Sequence, residues 1–313
     1  MAVRTEVTAS FHVTLAHAIA VSPGIAEHSL PGLSFAMEGA KVSIVLGDVK
    51  ELGRDPSDPP EFEIGDINVF VTKAATLEKN PQEELVLPPD EEEQFDALLI
   101  NAVRRVVCVV RLAANQWGLD SYNPIRSYSA NYRSSANKVK TRWPEHPGFR
   151  KLPKYAQGGL SLNPADFYSE LTETLWIEVE SDVRHARLPA AYEELLLDAK
   201  SYRSNLRHDL ATLFAAMSAE LLIVAACRNL LMKHGNFEEH QLEVLLSNRR
   251  TESVLDLVNS FSSEPLVKKK ELDALMKQRN DVVHRAVRTL TSTDASRAIR
   301  TVERIREALD AYL

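Results

Sequence analysis

Cysteine is nearly missing from this 313-residue chain: only Cys108 and Cys227 occur, in the apolar runs Val-Val-Cys-Val-Val and Ala-Ala-Cys-Arg-Asn. No second thiol lies near either one. That argues against a disulfide framework and against a cysteine-based zinc site, and it reads as two buried free thiols in a reducing compartment. Glycine is scarce at 11 residues, and no Gly-x-Ser-x-Gly, phosphate loop or dinucleotide fingerprint is present. Long uninterrupted apolar runs are missing as well. The opening MAVRTEVTASFH holds none, so no signal peptide is expected. The longest near-apolar run, 210–227, is interrupted by Glu220 and flanked by Arg207, His208, Asp209 and Arg228. It predicts a buried core helix rather than a bilayer span, and with it a soluble, cytoplasmic protein with no membrane partner. Positive charge is in deficit. With 37 basic and 44 acidic residues the net charge is −7, which excludes coating nucleic acid by bulk charge but leaves room for a local basic patch.

What is present is ordinary globular material, 44% hydrophobic and 26% charged, in a length that suits two domains. Residues 5–75 read as β. Val7, Ala9, Phe11, Val13 and Leu15 alternate with Thr8, Ser10, His12 and Thr14, a period of two that gives a strand one buried face. The segments 40–46 and 64–72 are two further apolar, β-branched runs, separated by Pro- and Gly-containing loops. Pro88 and Pro89 precede Asp90-Glu91-Glu92-Glu93, acidic residues that complement a helix dipole, so a helix is predicted from there to about Trp117, apolar nearly all round over 95–112 and therefore buried.

Residues 122–158 change character. Eight basic residues (Arg126, Arg133, Lys138, Lys140, Arg142, Arg150, Lys151, Lys154) meet one acidic residue, Glu145, with Tyr122, Tyr128, Tyr132, Trp143, Phe149 and Tyr155 interleaved. Cations neutralise phosphates and aromatic faces stack on unpaired bases, so this is a candidate single-stranded nucleic-acid surface. Arg126, Arg133, Lys138, Lys140, Arg142 and Trp143 are its candidate contacts. The competing reading is a solvated loop with structural aromatics.

From Asp166 onward the chain reads helical. The stretch 192–233 carries an apolar stripe at Leu206, Leu210, Leu213, Met217, Leu221 and Val224, Gly235 is a helix stop, 241–261 gives one or two short helices, and 268–288 gives another. Asp294 is the expected cap of a last helix striped by Ala298, Val302, Ile305 and Leu309. Short connections imply a bundle of four or five antiparallel helices. The expected fold class is thus α+β: a β-rich domain over 1–165, a connecting segment over 166–188, and an all-α bundle over 189–313.

The most informative stretch is Leu-Asp-Ala-Leu-Met-Lys-Gln-Arg-Asn-Asp-Val-Val-His-Arg, 272–285. Arg279 is followed by the polar Asn280 and, after four intervening residues, by His284. This motif, the Ala-rich run 215–226 around Glu220, and the segment 192–202 together resemble the HEPN superfamily over roughly 189–313. Ala286 stands where many bacterial members have glycine. The resemblance implies a helical bundle, a metal-independent endoribonuclease in a toxin, antiphage or stress-response setting, and a homodimer in which two copies of the motif face one cleft. A regulatory or inhibitory partner belongs to the same expectation. The alternative within the family is a non-catalytic dimerisation or nucleotide-binding module.

The chemistry agrees with those residue types. Cleaving RNA requires deprotonation of a 2′-OH, stabilisation of the phosphorane and protonation of the leaving 5′-oxygen. A histidine transfers protons near neutral pH, and an arginine offers phosphate a planar fork of donors. Asn280 and His284, four apart, share a helix face. Arg279 and His284, five apart, are separated by about 140° around the axis, so one copy of the motif is geometrically incomplete. Arg285 is a further candidate RNA contact. Glu220, an acid in an apolar run, needs a partner, and Arg279 is the expected one. No clustered Asp/Glu/His set predicts a metal, and no cofactor is expected. His12 and His17, five apart in a strand, project to opposite faces.

Overall fold

The computed structural model describes residues 2–27, 30–52, 61–80, 82, 84–135, 137–140, 170–235, 237–247, 249–285 and 290–313. The protein is α+β, an N-terminal antiparallel sheet of eight strands followed by helices, and it divides into two compact units, with the second taking up the chain from Pro189.

The first unit is built on two long strands. β1 (Ala2–Val21), the short helix α1 (Pro23–Glu27), β2 (Leu33–Met37), β3 (Ala40–Leu46), β4 (Val49–Leu52), β5 (Glu61–Lys79) and β6 (Leu85–Val86) precede the helix α2 (Pro89–Ala113), and β7 (Ile125–Ser134) and β8 (Asn137–Val139) complete the sheet. Strand order is β2-β3-β5-β1-β7-β8, with β4 and β6 also pairing with β5. Glu38 and Gly39 both take positive φ, 49° and 77°, between the paired Met37 and Ala40. This is the two-residue turn whose twist suits a hairpin, and it needs a residue without a side chain at its second position.

The period of two in β1 is realised: Val7, Ala9, Phe11, Val13 and Leu15 are all buried, and so are Val42 and Ile44 of β3 and Ile67, Val69 and Val71 of β5. Against this apolar face lies α2, through Phe95, Leu99, Ala102, Val103, Val106 and Val110. α2 ends at Ala113, a turn earlier than the sequence implied, because Asn115 leaves the helical region at φ 49°. Tyr128 and Tyr132 point inward from β7 and pack edge-on against Phe11, and Tyr132 also packs against Phe95. They are core residues, unavailable for stacking on bases.

The stretch 166–188, read from sequence as a connector, contributes α3 (Glu173–Arg184) to this same core through Trp176, Val179 and Val183. The Trp176 indole N–H donates to the Pro31 carbonyl at 3.0 Å. Arg105 of α2 donates to the Val183 carbonyl and lies over the Phe35 ring, 4.9 Å from its centroid. Burial lowers the guanidinium pKa.

The second unit holds α4 (Ala191–Ser204), α5 (His208–Gly235), α6 (Glu239–Leu246), α7 (Thr251–Asn259), α8 (Lys269–Arg285) and α9 (Ser292–Leu309), six helices among the described residues. α5 is the central element, packed by α4, α7, α8 and α9. It is the one helix among the described residues long and apolar enough to cross a membrane, and 56% of its most apolar window is buried in the bundle, as befits a core helix. Its inward face is made of Ala211, Ala215, Ala216, Ala219, Ile223, Ala226 and Cys227. Small residues there let flanking helices approach closely.

Of the apolar residues that gave the sequence its stripe, Leu206, in the turn before α5, is 63% exposed, Met217 37% and Leu221 42%, while Leu210, Leu213 and Val224 are half-buried and Val224 packs against the core. On a helix that is apolar all round, the stripe of bulky residues does not mark the core face. Cys108 and Cys227 are buried free thiols, and burial pushes Cys227 up to about 11. The cap of α9 is Thr291, whose hydroxyl accepts from Asp294 N–H. Asp294 is three residues on, its carboxylate accepting from Thr291 N–H at 3.0 Å and from its hydroxyl at 2.7 Å. Asp294 therefore closes a capping box rather than serving as the cap itself.

Candidate functional site

α8 presents two different faces, and the motif is split between them. Leu272, Leu275 and Met276 are buried, and Arg279 follows at the next core-facing position, seven, four and three residues on. The apolar stripe thus hands over to a guanidinium. Arg279 is half-buried, and its Nε is fully covered with no hydrogen-bond acceptor among the described residues. Its Nη1 donates to Asn280 Oδ1 at 3.1 Å.

The other face carries Asp273, Lys277, Asn280, Asp281 and His284, spaced at four, seven, eight and eleven residues, with the buried Met276 at the border between the two. Together with Glu252, in the first turn of α7, these residues line an open groove of about 400 Å³. Asn280 and His284 are exposed in it. The structure therefore brings Asn280 and His284 together in the groove, while Arg279 is not among its lining residues and reaches it only through the bond from Nη1 to Asn280; the 140° offset separates Arg279 from His284.

Glu220 does not pair with Arg279. Its carboxylate accepts from the Thr251 hydroxyl at 3.4 Å, and no carboxylate–guanidinium contact joins it to Arg279 among the described residues. The reason is geometric: the half-buried side of α5 that carries Glu220 meets the start of α7, and Thr251 supplies the polar partner that an acid in an apolar run demands. Since Thr251 adjoins Glu252, Glu220 backs the end of α7 that forms the groove wall.

The charged groove residues that the motif did not reveal are Glu252, Asp273, Lys277 and Asp281. Three of these repeat at four-residue spacing on α8, and Glu252 comes from another helix. Their charge matters. Among the described residues, three carboxylates and one ammonium line the groove. Among the described residues no three His, Cys, Asp or Glu side chains converge as a metal site.

The candidate RNA contacts of the first unit separate into three groups. Arg133 and Lys138 are exposed cross-strand partners on β7 and β8, and Arg126 is exposed on β7. Lys140 is engaged, its ammonium 2.6 Å from Glu84, whose carboxyl this bond holds below the usual range. Arg142 and Trp143 lie outside the described residues, as does the side chain of Arg285. No family model, no curated protein and no solved structure matches the chain.

Proposed function

We propose that the helical bundle is a metal-independent endoribonuclease of HEPN type, acting as a homodimer in the cytoplasm, where Cys108 and Cys227 stay reduced. The observation that carries the reading is the groove on α8, in which Asn280 and His284 stand exposed side by side while Arg279 lies around the helix from them. His284 takes the proton of the ribose 2′-OH or returns one to the leaving 5′-oxygen. Asn280 offers an amide to the phosphate or ribose. Charge stabilisation falls to Arg279, which in a single copy points away from His284.

A second copy completes the site. An isologous interface places each motif opposite its twin, so that the partner's cations offset the carboxylates of Glu252, Asp273 and Asp281. The exposed apolar residues Met217 and Leu221 on α5, and Val283 beside His284, are the kind of surface that such an interface covers. A toxin, antiphage or stress-response setting, and an inhibitory partner, follow from the resemblance alone.

The test is cleavage of an RNA oligonucleotide in EDTA, with an all-2′-deoxy copy as control. The expected products carry 2′,3′-cyclic phosphate ends, the deoxy copy is inert, and Met217→Lys with Leu221→Lys yields a folded, inactive monomer. A monomeric wild type that cleaves RNA contradicts the shared cleft, and cleavage of the deoxy copy contradicts the nucleophile.

One observation favours a second reading, a non-catalytic dimerisation module: the excess of carboxylates in the groove. A dimeric chain that leaves RNA intact supports it.

A further inference from the structure

The face of the first unit's sheet turned away from α2 has a composition unlike the rest of the molecule. The strand registers lay its side chains out in rows. One row runs Val45, Asn68, His12, Ser129 from β3 through β5 and β1 to β7. The next runs Ser34, Ser43, Phe70, Ser10, Asn131, starting from β2. A third runs Ala36, Lys41, Thr72, Thr8, Arg133, Lys138 and ends on β8.

These three rows hold three cations and no acid, in a protein of net charge −7, and the carboxylates of the same face lie in the rows beyond them, Glu6 past Thr8 on β1 and Asp66 past Asn68 on β5. Lys41, Arg133 and Lys138 are exposed and make no ion pair among the described residues, whereas Lys50, Lys73 and Lys140 of the same unit are all paired with carboxylates. Phe70 stands near the centre, 38% exposed, where the alternation of the strand calls for a polar residue. Around it are small hydrogen-bonding groups: Ser10, Ser43, Asn131, and His12, whose Nδ1 is 3.2 Å from Asn68 Oδ1.

We infer that this face binds single-stranded nucleic acid, with Phe70 as a stacking platform and Lys41, Arg133 and Lys138 as phosphate contacts. Strands about 4.8 Å apart and outward residues about 6.8 Å apart along a strand put Lys41 one strand and one row from Phe70, and Arg133 two strands and one row on the opposite side. Long cationic side chains at those positions reach the phosphates that flank a base stacked on the ring. An exposed aromatic among hydroxyls and amides on a sheet face accepts any base face and reads little sequence. A duplex offers no unpaired base to the ring, which selects single strands. The identification of the strand as RNA rests on the proposed ribonuclease; the surface itself does not.

The test uses the full chain carrying His284→Ala, so that nothing is cut, and a fluorescein-labelled oligouridylate read by anisotropy. Phe70→Leu weakens binding about tenfold, as loss of one stacked base does, and Phe70→Trp retains it. Lys41→Gln, Arg133→Gln and Lys138→Gln together flatten the salt dependence, by about 0.7 in log–log slope for each phosphate that is no longer neutralised. Binding that Phe70→Leu leaves unchanged, equal affinity for a duplex, or capture of an acidic protein with no affinity for the oligonucleotide overturns the inference. Cleavage by the wild type without binding at this face sinks the face and spares the ribonuclease. Binding here with no cleavage by the wild type does the reverse.

Discussion

Replacing Arg279 by Met removes the guanidinium while nearly keeping its volume and length, and the outcome for stability distinguishes two accounts of the residue. If Arg279 were one half of a buried ion pair with Glu220, breaking it would strand a desolvated carboxylate and cost about 3–5 kcal/mol. The structure gives Glu220 to Thr251 instead and leaves Arg279 Nε covered and without an acceptor. Leaving a covered donor unmet costs about 1–3 kcal/mol. The bond from Nη1 to Asn280 Oδ1 returns about 0.5–1.5 kcal/mol. Arg279→Met removes both terms, so the predicted change is stabilisation, or neutrality within about 1 kcal/mol. All three tryptophans precede residue 189. Urea unfolding followed by far-UV circular dichroism therefore reports mainly the helical unit, while tryptophan fluorescence serves as an internal control for the sheet unit. A loss of about 3 kcal/mol or more in the dichroism transition refutes the reasoning and restores the ion pair.

Three further outcomes follow from the fold. Trp176→Ala empties a fully buried site and removes the donor to Pro31, so it costs the first unit about 3–5 kcal/mol; a change within about 1 kcal/mol in the fluorescence transition would detach 170–188 from that core. Glu220→Gln keeps an acceptor for Thr251 and is predicted to alter stability by less than about 1 kcal/mol, which the same dichroism titration checks. The Thr291 hydrogen bonds hold the Asp294 carboxyl below the usual carboxylate range. A depressed folded pKa gives a contribution that is present above the unfolded value and is lost as pH falls through the folded one. Asp294→Ala should therefore weaken the bundle near neutral pH and converge with wild type in acid, and an equal deficit at all pH values would contradict the capping box as its cause.

Much of the architecture was legible from local pattern, and what was not has a physical reason. The alternation over 7–15 reports one buried face, and the apolar, acid-headed segment 89–113 reports a buried helix, because both signals are read within a few residues. That β5 lies between β1 and β3 is a choice made by residues from about 20 to about 75 positions apart, and no local period encodes it. In α5 part of the bulky stripe, Met217 and Leu221, is exposed, while alanines supply much of the inward side and let neighbouring helices approach closely. The separation of Arg279 from His284 was present in helical spacing alone. The assignment of Glu220 to Thr251 was not, as it needs the start of α7 to fold back on α5. Tyr128 and Tyr132 looked like a stacking surface beside basic residues, and strand alternation turned them inward, whereas Phe70, from a run that read as plainly apolar, is an exposed ring on the opposite face.

The central claim is that His284 performs proton transfer in RNA cleavage. The most direct measurement is single-turnover cleavage of an RNA oligonucleotide in EDTA by wild type and by His284→Ala, each confirmed as folded and as binding the RNA equally. The account predicts a fall in rate of about 10²–10⁴-fold for the variant, with affinity nearly unchanged. Cleavage by His284→Ala at the wild-type rate would contradict it.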